Sequence, residues 1–181
     1  MEASEAVRPL LRVHQVRKFT DAPVDPETLD AIADAARWSG SSANNQPWRF
    51  VVIRRPEVLR QLAEANMPHT RSLATAAAAV AIVLPKVEGA AISNAFDEGR
   101  AAERMLIAAS LVDLGAGIAW LAADARPAVG ALLGVPKGRF VRTVVAIGHP
   151  TERAGRRTSA KGQARLPRSE TVFSERWGSE G

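Results

Sequence analysis

Apolar and polar positions alternate along this chain in two periods and several continuous runs, and together they predict a mixture of helices and strands. Leu10, Leu11 and Val16 leave an apolar side on an N-terminal segment, which predicts a helix from about Glu5 to Gln15. Asp25-Pro26 reads as a helix start, with Asp25 as cap and Pro26 in the first turn. Leu29, Ile32, Ala33 and Ala36 follow at helical spacing. Ser39 to Pro47 is a polar loop, Trp48 to Ile53 a strand, and Pro56 opens a helix to about Ala65. Met67 to Thr75 shows no readable period, whereas the apolar run Ala78 to Leu84 predicts a buried strand.

After a loop from Pro85 to Ser93, Asn94 is the expected cap of a long helix from about Ala95 to Leu114. Its apolar face is Ala102, Met105, Leu106, Ala109 and Val112, and Gly115 and Gly117 are expected to end it. Ile118 to Ala122 predicts a strand, and Asp124 and Pro127 open a short helix that ends near Gly134. Val141 to Gly148 predicts a last strand, stopped by Pro150. These elements keep no strict βαβ rhythm, so the fold class is α+β.

Composition narrows the function. The chain has 181 residues and is 46% hydrophobic, enough for one domain over residues 1–181. No apolar run approaches the roughly 18–20 residues that cross a bilayer, and the N-terminus carries no signal-peptide core. A cytoplasmic protein is expected. There is no cysteine, so disulfides, thiolate metal sites and cysteine nucleophiles are excluded. His14, His69 and His149 share no metal-binding spacing, and no metal is expected. Net charge is +5, with six Lys or Arg and no acid between Arg153 and Arg168, inside a basic C-terminal arm from about 151 to 181. Such an arm suits a phosphate-bearing cofactor. It lacks the interleaved aromatics that stack on bases, so nucleic acid is not the expected partner.

Three clusters carry candidate chemistry: Arg12 to Phe19, Ser41 to Trp48, and Lys161 to Arg168. The second is a run of small hydroxyl and amide side chains directly before a strand. Its donors and acceptors suit the polar edge of a heterocycle, and the same residues are ordinary turn formers. Arg17 and Arg165 have the fork geometry that grips phosphate, although most arginines are simply solvated. His14 is a further candidate, although a lone histidine near a helix end is more often a structural or surface group than a catalyst.

Taken together and in this order, the clusters resemble the nitroreductase-like flavoproteins. Val13 to Arg17 looks like the family's basic R-[RH]-S-x-[RK] opening, and Ala22-Pro23-Val24 like its P-V-P element. Gly40 to Phe50 is similar to the P-S-x-x-N-x-Q-P-W-x-F stretch, which is the most specific of the motifs. Phe96 to Ala102 resembles the D-x-G-x-A central helix, and Arg165-Leu166-Pro167, Val172 and Arg176-Trp177 resemble the tail.

The resemblance implies an α-β-α sandwich with a mainly antiparallel central sheet and a long central dimerisation helix. It implies a homodimer with FMN at the interface and NADH or NADPH as co-substrate. Ser41, Ser42, Asn44 and Gln46 would lie along the flavin or its ribityl chain, and Arg17 near the N1/O2 edge. Val13, His14, Gln15, Lys161 and Arg165 would surround the phosphate, and Trp120 to Ala123, with Ala122 and Ala123 among them, would border the ring chiefly through backbone. No catalytic side chain is implied, because the flavin carries the chemistry. Val13 and Gln15 replace the family's usual Arg and Ser, and Gln163 stands where Lys is frequent, which bears on the phosphate site more than on the fold.

The activity implied is hydride transfer from NAD(P)H to a nitroaromatic, quinone or enone. The alternatives are an FMN-dependent dehydrogenase or oxidase of a peptide-derived or natural-product substrate, and a non-catalytic flavin-binding protein. Fold alone does not choose among them.

Overall fold

The computed structural model describes residues 2–155 and 165–178. Ten residues, Ala3–Arg12, form α1, which ends three residues before the predicted boundary. Pro26–Arg37 forms α2, and the Asp25 carboxylate accepts the Thr28 N–H at 3.0 Å, so the sequence cap is the structural one. The strands are β1 (Arg49–Ile53), β2 (Ala78–Pro85), β3 (Gly115–Trp120) and β4 (Arg139–Gly148). The remaining helices are α3 (Pro56–Glu64), α4 (Ala91–Leu111), α5 (Arg126–Leu132) and the single turn α6 (Glu152–Gly155).

The four strands lie in the order β1-β2-β4-β3, and every neighbouring pair is antiparallel. All of β2 except its last residue, Pro85, is buried, which explains why its sequence runs apolar without alternation. Period two then sorts its residues between two faces. Ala79, Ala81 and Val83 pack with Val58, Leu59 and Leu62 of α3 and Val129 of α5. Val80, Ile82 and Leu84 pack with Leu29 and Ile32 of α2 and with Met105 and Leu106 of α4. Helices therefore cover both faces of one sheet, an α-β-α sandwich.

Two further differences from the sequence reading have physical reasons of their own. Asn94 is not the cap of the long helix, which starts at Ala91. Asn94 is buried within the first turns and its N–H donates to the Ala90 carbonyl at 2.9 Å. Gly115 and Gly117 do not act as helix stops but lie inside β3. A Cβ on Gly117 would sit 2.0 Å from the Val16 carbonyl oxygen, and one on Gly115 would sit 2.8 Å from a Val16 methyl. Their bareness lets residues 15–17 lie directly along β3. There Gln15 pairs in parallel with Ala116, and the Val16 N–H donates to the Ala116 carbonyl at 2.9 Å.

Candidate active site

The polar turn before β1 is conformationally strained. Ala43, Asn44 and Gln46 hold φ of 48°, 54° and 45°. Asn tolerates this left-handed region, but Ala and Gln do so at a cost of about 1–2 kcal/mol each. The strain is held from outside and within. Asp97, buried in α4, accepts the Ser42 N–H at 3.1 and 3.2 Å through its two oxygens. Ser41 Oγ accepts the Gln46 N–H at 2.9 Å, and Gln46 Nε2 donates to the Asn44 carbonyl at 3.3 Å. Arg49 Nη1 closes the exit by donating to the Gln46 carbonyl at 3.1 Å and the Trp48 carbonyl at 2.6 Å. Ser42, Asn44 and Gln46 remain exposed. Small residues in a fixed, strained loop with polar groups outward are suited to lie against a flat ligand.

The basic segment after α1 lies along the other side of the sheet. Val13 packs partly into the core, and the Gln15 amide oxygen accepts the Ile118 N–H at 2.8 Å. The carbonyl face of Gln15 is thus engaged with the edge strand. His14 lies with Nδ1 3.0 Å from the Arg12 carbonyl and Nε2 3.3 Å from the Ala154 carbonyl. This contact, with the Thr151 N–H donating to the Lys18 carbonyl at 3.2 Å, brings the segment to the root of the basic arm. Arg165 is exposed beyond it, and Lys161 and Gln163 lie outside the described residues.

Arg17 shares a cavity of about 360 Å³ with Arg71, His69, Ser72, Ile118 and Trp120. Two guanidinium groups thus flank a space part-lined by an indole. Arg71 was not singled out in the sequence, because the stretch from 67 to 75 has no period. Hydrogen bonds at its flank and to residues outside it order it instead. Asn66 Oδ1 accepts the Ala122 N–H at 2.8 Å, and the buried Thr70 hydroxyl donates to the Ala63 carbonyl at 2.8 Å. The first bond also engages the Ala122 N–H, leaving Ala123 as the exposed member of that pair.

Behind Trp120 lies a second polar element. Arg142 on β4 donates through Nε to Glu98 Oε2 at 2.7 Å and through Nη2 to the same oxygen. Its guanidinium carbon lies 5.4 Å from the Trp120 ring centroid. Both members are largely buried, and Glu98 Oε1 has no hydrogen-bond partner among the described residues.

The polar turn and the Arg17 cavity occupy opposite edges of one end of the sheet. Arg49 pairs with Val83, Val83 with Val141, and Trp120 with Thr143. Three inter-strand steps of about 4.8 Å separate β1 from β3 by about 14 Å. Among the described residues no hydrogen bond or ion pair joins residues 41–46 to residues 13–17 or to Arg165.

Comparison with known proteins places this geometry. The nitroreductase family model matches residues 14–84. A protein of Archaeoglobus fulgidus bearing the name NADH dehydrogenase/NAD(P)H nitroreductase is 30% identical over 154 residues, 82% of this chain and 87% of its own. The chain belongs to the nitroreductase family. Nitroreductase-family relatives are joined by two solved structures of the same fold. An FMN-dependent nitroreductase of Clostridium difficile superposes with a TM-score of 0.79 at 22% identity, over 94% of this chain and 99% of that one. The NADPH:FMN oxidoreductase of Vibrio harveyi, solved with NAD+, gives 0.80 at 21% identity, over 97% and 79%. Among the described residues of this nitroreductase-family chain no helix is long and apolar enough to cross a membrane.

Proposed function

We propose that this chain is an FMN-dependent oxidoreductase that takes hydride from NADH or NADPH and reduces a nitroaromatic, quinone or enone-type acceptor. The observation that carries the reading is the cavity in which Arg17 and Arg71 meet Trp120 and Ile118. FMN has a flat ring with a polar pyrimidine edge, a hydroxylated chain and a phosphate. Cations beside an indole, together with an exposed run of hydroxyl and amide groups on a rigid turn, fit those parts.

When bound, FMN supplies two-electron chemistry, receiving hydride from the nicotinamide and passing electrons to the acceptor. The side chains do the rest. Arg17 and Arg71 place fixed positive charge where reduction puts negative charge, which favours the reduced ring electrostatically. Ser41, Ser42, Asn44 and Gln46 orient the ring and its chain, while Ile118 and Trp120 keep water from its apolar part. Ala122 and Ala123 border the ring. Arg165 and Lys161 hold the phosphate, with His14 nearby. Val13 and Gln15 offer it no charge, so more of that task falls on the arm.

One site draws on two protomers of a homodimer in this reading. The turn and the Arg17 cavity sit at opposite edges of one protomer. The outer face of α4 exposes Ile92, Phe96 and Leu111 at 75%, 72% and 68%. Val7, Leu10 and Leu11 expose a further apolar side on α1, a helix with no buried residue. Apolar surface of this extent is normally covered by a partner. Residues 1–181 act as one domain, with the arm from about 151 reaching the phosphate.

Anaerobic mixing of the FMN-loaded protein with NADH and with NADPH tests the activity. Bleaching of the yellow flavin by either donor, and recovery on adding a quinone, is the expected result. A flavin that stays oxidised with both donors would overturn it.

A further inference from the structure

A second and larger cavity, about 750 Å³, opens between α5 and the start of β4. Lys86, Arg126, Lys137 and Arg139 line it together with Phe140 and Ala123, and no acidic residue lines it among the described residues. Four like charges around one space create a positive potential that draws an anion. The volume falls in the range of small-molecule sites, about 300–1,000 Å³.

The two arginines are held in place by contacts of their side chains. Arg126 is half-buried; its Nε donates to the Leu121 carbonyl at 3.1 Å, and its guanidinium carbon lies 5.5 Å from the Phe140 ring centroid. Arg139 is also half-buried, and its Nη1 reaches the Pro47 carbonyl at 3.5 Å, at the exit of the polar turn. The Lys86 N–H donates to the Gly138 carbonyl at 2.8 Å, which ties the segment bearing Lys86 to the turn bearing Lys137. Phe140, Val135 and Pro127 give the same space an apolar wall.

We infer that this cavity binds the anionic end of a flat, ring-bearing substrate, with carboxylate or phosphate against the four cations and the ring against Phe140. Ala123 lines the cavity and also borders the flavin in the functional reading above, so a ligand anchored here extends toward the reacting ring. In that respect the inference rests on that reading. The same chemistry has two sources, an acidic aromatic acceptor or the phosphorylated adenosine end of the dinucleotide.

Calorimetric titration of the FMN-loaded protein with 4-nitrobenzoate, with uncharged nitrobenzene and with adenosine 2′,5′-bisphosphate separates them. At least one anionic probe is expected to bind. Its affinity should fall about tenfold or more in Lys86→Gln/Lys137→Gln and in Arg126→Gln, the loss typical of a charge-assisted contact. Both lysines are exposed, so the first variant keeps the fold even if the second does not. The benzoate binding alone names an acidic acceptor; the bisphosphate binding alone names the dinucleotide. Failure of both anions to bind, or binding unchanged in the lysine variant, overturns the site. If the protein takes up no FMN, the same titrations are run without it. Anion binding that still depends on the lysines then retains the site and rejects the flavin reading.

Discussion

The Asp97 carboxylate, inside the longest helix, accepts the backbone N–H of Ser42 through both oxygens at 3.1 and 3.2 Å. A buried acid in α4 thereby fixes a loop more than fifty residues away in sequence, one that holds three non-glycine residues at positive φ. Without that acceptor the Ser42 N–H loses its partner and the strained turn is free to relax.

Asp97→Ala should therefore lower stability by about 1–3 kcal/mol, the cost of orphaning a partly buried donor, and should weaken flavin retention more than it disturbs the fold. Denaturant unfolding beside flavin absorbance of the purified variant reads both. A variant that keeps its flavin at wild-type affinity would show that the turn does not touch it.

Gly117→Ala places a methyl group 2.0 Å from the Val16 carbonyl oxygen. The segment from Gln15 to Arg17 must then lift from β3 and surrender the bonds from Val16 to Ala116 and from Ile118 to Gln15. A loss of about 3 kcal/mol is expected, by overpacking together with the broken bonds. Thermal unfolding checks it. Gly115→Ala, whose methyl would meet the stiff, buried Val16 side chain at 2.8–2.9 Å, Cβ included, should push on the same segment and destabilise as well.

Glu98 and Arg142 form the buried ion pair behind Trp120, with side chains 4% and 15% exposed. Glu98→Ala leaves the guanidinium without its partner and should cost about 3–5 kcal/mol. Replacing both residues together with apolar ones of similar volume should cost less than the single change. Equilibrium unfolding of Glu98→Ala and of the double variant measures the difference.

Arg165→Ala should weaken FMN binding about ten- to a hundredfold, the equivalent of about 1.5–3 kcal/mol for a hydrogen bond to a charged group. Fluorescence titration with FMN reads it. Unchanged affinity would remove Arg165 from the phosphate site.

Much of this was legible in the sequence where the signal is local. The Asp25-Pro26 start, the apolar run of β2 and the polar turn before Trp48 were all readable from neighbouring residues. Signals that depend on distant partners were not. Asn94 has the chemistry of a cap, but it is buried because the helix begins a turn earlier. Gly115 and Gly117 look like helix stops, and their real constraint is Val16, about a hundred residues away. Arg71 was hidden in a stretch whose order comes from Asn66, Thr70 and Thr75, the last accepting the Phe19 N–H at 3.2 Å. Periodicity carries no trace of such contacts.

The sharing of one flavin between the turn of one protomer and the Arg17 cavity of its partner is tested most directly by mixing two defective variants. Asn44→Ala/Gln46→Ala damages only the turn, and Arg17→Ala/Arg71→Ala only the cavity. After random exchange of equal amounts, half of the dimers are mixed, and each mixed dimer holds one undamaged site, so about a quarter of all sites should bind FMN again. Recovery near that level is the predicted result. Absence of recovery in a demonstrated heterodimer, with each variant folded, would contradict the account.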